Sequence, residues 1–109
     1  MKAAIYCRVD GGGSSKMRRD ALEMQKQELE RYAVRKGIHV LGYYEDDGFP
    51  GYDLKRPGLT QMLKDHDAGL FEQILVVSRS RLYRGNSWNE PKWPFQVHSV
   101  KQLNQELKR

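Results

Sequence analysis

The sequence predicts an α/β domain: a mostly parallel sheet of about four strands with helices on both faces. Two near-continuous apolar runs, Ala3-Ala4-Ile5-Tyr6-Cys7 and Ile74-Leu75-Val76-Val77, suit strands that are covered on both faces. Between them, segments of helical spacing flank a further strand-like run, giving the order strand, helix, strand, helix, strand with crossovers long enough for parallel pairing. Each strand-like run is also followed by a polar cluster: Arg8 and Asp10, then Asp46-Asp47, then Ser78 to Arg84. Ligands of such sheets bind beyond the carboxyl ends of the strands, so the three clusters together mark the candidate site.

The first strand is expected from about Lys2 to Val9, with Cys7 as a small buried hydrophobe within it. Gly11-Gly12-Gly13-Ser14-Ser15 is read as a flexible connector, because it lacks the Lys-Ser/Thr ending of a phosphate-binding P-loop and the spacing of a dinucleotide fingerprint. Asp20 followed by Glu23 resembles a capping box, and Leu22, Leu29, Tyr32 and Ala33 recur at helical spacing up to Gly37, which predicts a helix from about Ala21 to Lys36. Gln25 falls on the apolar face of that helix, where its amide needs a partner: a nearby backbone group or a functional site. Ile38 to Glu45 mixes β-branched and aromatic residues and reads as the second strand. Pro57 suits the first turn of a second helix through Leu59, Met62 and Leu63, ending near Gly69. Arg56 just before it opposes the helix dipole, so it is either turned to solvent or held for an anion. After the third strand at Ile74–Val77, the Pro- and Trp-containing segment from Gly85 to Pro94 cannot be one regular helix. A short fourth strand over Phe95–Val100 and a terminal helix over Lys101–Lys108 complete the expected order.

At 109 residues the chain is one domain with little room for a second. A formal net charge of +5 favours a polyanionic partner without naming it. No apolar run approaches the roughly 20 residues of a membrane helix and the N-terminus lacks a signal-peptide layout, so no membrane contact and a cytoplasmic setting are expected. His39, His66 and His98 are isolated and Cys7 is alone, so neither a metal nor a cofactor is expected. Arg79, Arg81 and Arg84 supply cationic forks, and Arg81 and Arg84 share a face if the segment turns helically. Taken alone such a run reads first as a solvated basic loop. Arg8 and Arg56 point instead to a site in which guanidinium groups hold a phosphate and stabilise charge during its transfer.

These residues strongly resemble the catalytic domain of the serine recombinases, the resolvase and invertase family. Tyr6-Cys7-Arg8-Val9 is similar to that family's first-strand motif, Ala21-Leu22-Glu23-Met24-Gln25 to its first-helix motif, Arg56-Pro57-Gly58-Leu59 to the start of its second helix, and Ser80-Arg81-Leu82-Tyr83-Arg84 to its arginine motif. The resemblance implies a three-layer resolvase-like fold and a reaction in which a serine hydroxyl attacks a DNA phosphodiester, with arginines rather than metal ions stabilising the transition state. It assigns phosphate-binding or catalytic roles to Arg8, Arg56, Arg81 and Arg84, and site-supporting roles to Gln25, Asp47 and Ser80, with Gln25 reaching the phosphate site rather than only burying its amide. Ser80 stands where the family often has Asp, although its large members often carry serine there.

The family's serine falls two residues after the first-strand arginine, and that position here is Asp10. A carboxylate repels an incoming phosphate, and attack through it would give an unstable acyl phosphate. Ser14 and Ser15 are nearby but lie in the glycine-rich stretch, which does not fix a nucleophile to within the ångström or so that the chemistry requires. The expectation is therefore a truncated or degenerate recombinase catalytic domain, with strand cleavage lost and Asp10 paired to a neighbouring arginine. The alternative is a non-catalytic module that binds nucleic acid or a recombinase subunit; a third reading is an active enzyme whose serine was altered. Residues 1–84 form the resolvase-like part, and 85–109 carry none of its motifs but complete the same domain. No room is left for a DNA-binding domain or the family's long dimerisation helix.

Overall fold

The computed structural model describes residues 1–101. Strand β1 (Lys2–Val9) is followed by helix α1 (Ser15–Lys36), β2 (His39–Asp47), α2 (Pro57–Asp67), β3 (Gln73–Val76), a one-turn helix α3 (Arg79–Leu82), a short 3-10 turn (Ser87–Asn89) and β4 (Gln96–Ser99). The strands lie in the order β2-β1-β3-β4 and every pairing is parallel. The expected strand, helix, strand, helix, strand order is therefore present, with the fourth strand at the edge beside β3.

Alternation along β1 divides the interior in two. Ala3, Ile5, Cys7 and Val9 meet Leu22, Leu29, Tyr32 and Ala33 of α1, whereas Ala4 and Tyr6 meet Leu59 and Met62 of α2 with Phe71, Leu82 and Phe95. A strand that feeds two cores must be apolar on both faces, which is why Ala3–Cys7 reads as an unbroken apolar run. The segment beyond Arg84 covers the α2 side. Trp93 stacks on Phe95 at 5.9 Å between ring centroids, and His66 meets Phe95 edge-on at 5.4 Å.

Several boundaries differ from expectation. Helix α1 begins at Ser15, six residues before Ala21, and its cap is Ser14, whose hydroxyl accepts from the Met17 amide at 3.1 Å. Asp20 is inside the helix and pairs with Lys16 at 3.1 Å. The added turns carry Ser15, Lys16, Met17, Arg18 and Arg19, none of them buried, so no apolar periodicity announced them. Gly13, with φ +68, turns the chain into the helix, and the Gly11–Ser15 connector shortens accordingly. Strand β2 extends to Asp47 because its last residues pair with β1, Arg8 opposite Asp46 and Val9 opposite Asp47. Strand β3 runs to Val76 and β4 to Ser99, each one residue short of the expected end. Beyond its first residue, the terminal helix expected over Lys101–Lys108 lies outside the described residues.

Candidate active site

Arg8 is the centre of the site. Strand alternation turns its side chain to the α2 side, where it is fully buried. Nε donates to the Arg81 carbonyl at 2.9 Å, Nη2 to the Ser80 carbonyl at 2.8 Å, and Nη1 to both the Phe49 carbonyl at 2.8 Å and an Asp10 carboxylate oxygen. A guanidinium has five N–H donors, so four acceptors leave one donor over. Asp10 supplies the opposite charge for a cation that would otherwise be buried alone. Gly51 allows this packing: a Cβ there would stand 2.8 Å from Arg8 Nη2 and 2.6 Å from Arg84 Cβ.

Arg56 is also fully buried, so it is not turned to solvent. It donates to the Asp53 carbonyl at 2.7 Å, to Tyr6 Oη at 2.9 Å, to the Arg81 carbonyl at 3.3 Å and to the Leu82 carbonyl. Arg8 and Arg56 thus bind three successive carbonyls, of Ser80, Arg81 and Leu82. A single helical turn has too few internal bonds to persist alone, and cations at its carbonyl end both satisfy those groups and favour its dipole. Burial holds the Arg56 pKa below its ordinary value.

Asp46, not singled out from the sequence, anchors the same network. It is buried and accepts from the Gly58 amide at 2.7 Å, the Leu59 amide at 2.9 Å and Tyr6 Oη at 2.7 Å. It therefore caps α2 from β2, and through Tyr6 it reaches Arg56. Burial above all holds the Tyr6 hydroxyl pKa far above its ordinary value. Gly58 is needed at this junction, since a Cβ would stand 2.4 Å from the Glu45 carbonyl oxygen. The signal for Asp46 was strand parity: Glu45 and Asp47 point to the other side.

The exposed rim is formed by Asp10, Arg81 and Arg84. Asp10 is 52% exposed at its side chain; the hydrogen bond from Arg8 is the main cause holding its carboxyl below the usual range. Arg84, 68% exposed at its side chain, stands 3.8 Å from the other Asp10 oxygen, and its amide donates to the Gly51 carbonyl at 3.1 Å. Arg81 donates weakly to the Arg8 carbonyl at 3.4 Å, and its buried Nε has no partner among the described residues. Burial first and Arg8 second hold its pKa down. Ser80 is exposed, with its hydroxyl 2.8 Å from that of Ser78.

Gln25 and Asp47 are placed differently. Gln25 clasps the Arg8 backbone, accepting from its amide at 3.3 Å and donating to its carbonyl at 3.0 Å. Strand β3 pairs with β1 only over Ala3–Ile5, so the buried amide takes the place of a strand partner at Arg8. Asp47 accepts from Arg18 Nε at 2.8 Å and stands 4.0 Å from Arg19, tying β2 to the first turns of α1 rather than to Arg8, Arg81 or Arg84. The Ser14 hydroxyl is engaged as the helix cap.

A parallel sheet of order β2-β1-β3-β4 whose carboxyl edge gathers buried and exposed arginines around the end of β1 defines a resolvase-type domain, and the chain belongs to that family: residues 3–87 match the family described as Resolvase, N terminal domain. Among solved structures it is similar to the N-terminal catalytic domain of TP901-1 integrase, at 28% identity and a TM-score of 0.73, over 94% of this chain and 78% of that one. It is also similar to the C-terminal catalytic domain of ISC1926 TnpA, an IS607-like serine recombinase, at 29% identity and a TM-score of 0.77, over 99% of this chain and 75% of that one. A resolvase family site-specific recombinase from Streptococcus pneumoniae aligns at 28% identity and a TM-score of 0.64, over 78% of this chain and 58% of that one. Since the ISC1926 TnpA likeness covers 99% of the chain, β4 falls within the shared fold although its sequence carries none of the family's motifs.

Proposed function

We propose that this chain is a DNA-directed catalytic domain of the serine recombinase type whose anion site is filled from within by Asp10, so that it does not cleave DNA as it stands. The observation that carries this reading is the Asp10 carboxylate, held by buried Arg8 and faced by Arg84. In this reading Arg84 and Arg81 contact the phosphate, while buried Arg8 holds Asp10 and the turn that carries Arg81. Arg56, Gln25 and Asp46 hold the frame, while Asp47 and Ser80 support its margins. A serine at position 10 would add its oxygen to phosphorus and release a sugar hydroxyl. The carboxylate instead brings negative charge against the phosphate and leads only to a labile mixed anhydride.

The names of the relatives, an integrase and a TnpA recombinase, support a place in DNA recombination, DNA integration or the movement of mobile elements. The same carboxylate favours a second reading, a non-cleaving accessory subunit that binds DNA or pairs with an active recombinase. The test joins this chain, and its Asp10→Ser version, to a recombinase DNA-binding domain and incubates each with DNA carrying the matching site. A covalent protein–DNA adduct from Asp10→Ser alone supports a lost nucleophile on an intact frame. An adduct from the parent overturns the inactive reading. No adduct from either favours the accessory role.

A further inference from the structure

The anion site gives roles to Arg81, Arg84 and Asp10 but none to the aromatic ring beside them. Tyr52 follows Gly51 in the turn after β2 and is 69% exposed. Gly51 accepts from the Arg84 amide at 3.1 Å, and a Cβ added at Gly85 would stand 3.3 Å from Tyr52 Cβ. Tyr52 is therefore fixed on the flank of Arg84 and Gly85, with most of its surface in solvent. It belongs to neither core, and its hydroxyl has no hydrogen-bond partner among the described residues. Trp88 is 89% exposed and lies four residues beyond Arg84, within about 14 Å of it along the chain.

An exposed ring on the flank of an exposed guanidinium matches the chemistry of a nucleic-acid strand, which offers a phosphate to the cation and a base face to the ring. The net charge of +5 favours such a polyanion. In a duplex the base faces are already stacked, so the ring can take only an unpaired base.

Resting on the DNA reading above, we propose that Tyr52, aided by Trp88, is a stacking platform for an unpaired base in the strand whose phosphate lies at Arg84. The ligand class is single-stranded or locally opened DNA. The test uses the whole chain with three probes of equal length: an oligothymidylate, an abasic strand with the same backbone, and a duplex. Binding is followed by anisotropy of the labelled probe and by tryptophan emission. The oligothymidylate is expected to bind about tenfold tighter than the abasic strand and to quench emission. Tyr52→Ala should remove most of that preference, Trp88→Ala part of it, and Tyr52→Phe little, all without weakening abasic binding. Equal binding of the oligothymidylate and abasic strands, or a preference untouched by Tyr52→Ala, overturns the platform. Salt-dependent binding of all probes without that preference leaves the DNA reading in place. Failure of every probe to bind overturns the platform, and the adduct test on the fused chain decides the DNA reading separately.

Discussion

Asp46 and Asp47 are neighbours in one strand, and the structure gives them very different weights. Replacing Asp46 by alanine removes one acceptor group that serves the partly buried Gly58 amide and the buried Leu59 amide at the start of α2, and the buried Tyr6 hydroxyl of β1. Each buried donor left unpaired costs about 1–3 kcal/mol. Three together amount to roughly 3–6 kcal/mol even if water or a small shift recovers part of the loss. Against a total stability of roughly 5–15 kcal/mol this is a severe lesion. At about 4–8 °C per kcal/mol for a domain near this size, the midpoint of thermal unfolding should fall by about 12 °C or more. Asp47→Ala breaks a half-buried pair with Arg18, worth about 0–1 kcal/mol, and should lower the midpoint by no more than about 8 °C. Far-UV circular dichroism melts of the two variants and the parent, in one buffer, make the comparison. If Asp46→Ala and Asp47→Ala melt together, the capping network does not hold α2 to the sheet and the reasoning fails.

Asp10 carries a pH signature. Its pKa is depressed in the folded state, so its pairing stabilises the fold above the ordinary carboxylate range and that contribution is lost as pH falls through the folded value. The gap in stability between the parent and Asp10→Ala, measured by urea titration, should be constant near neutrality and close progressively below about pH 4. Cys7, buried on the α1 side, has its thiol pushed up to about 12, chiefly by burial and then by Glu45. It should resist a thiol reagent at neutral pH in the folded chain and react at once in denaturant, as followed by mass spectrometry. Gly51→Ala places a Cβ against Arg84 and Arg8, and should cost about 1–3 kcal/mol in the same melts while weakening oligonucleotide binding through displacement of Arg84.

The architecture was legible because the sheet's centre is legible: β1 and β3 must be apolar on both faces, and only parallel strands beneath two helical layers require that. The start of α1 was hidden because its first turns face solvent, and only the Ser14 hydroxyl marks them. Within the site, the arginines could be named from their residue types, but their orientations could not. Burial of Arg56 depends on carbonyls 25 and 26 residues further along the chain, and no local pattern encodes that distance. Gln25 could be placed on the apolar face by spacing, yet its partner is fixed by where β3 stops pairing with β1. Asp46 was passed over for Asp47 because two adjacent carboxylates look alike until strand parity assigns one of them inward.

The grip of Arg8 and Arg56 on the Ser80, Arg81 and Leu82 carbonyls has a consequence for variation. Main-chain oxygens are common to every residue, so the clamp reads the path of the loop and ignores its lettering. Side chains at positions 79, 80 and 84 can be exchanged for new contacts while the turn that displays them stays where the two buried cations hold it. The edge of the sheet thus behaves as a socket: chemistry can be swapped at its rim, and the two cations that hold its shape lie underneath.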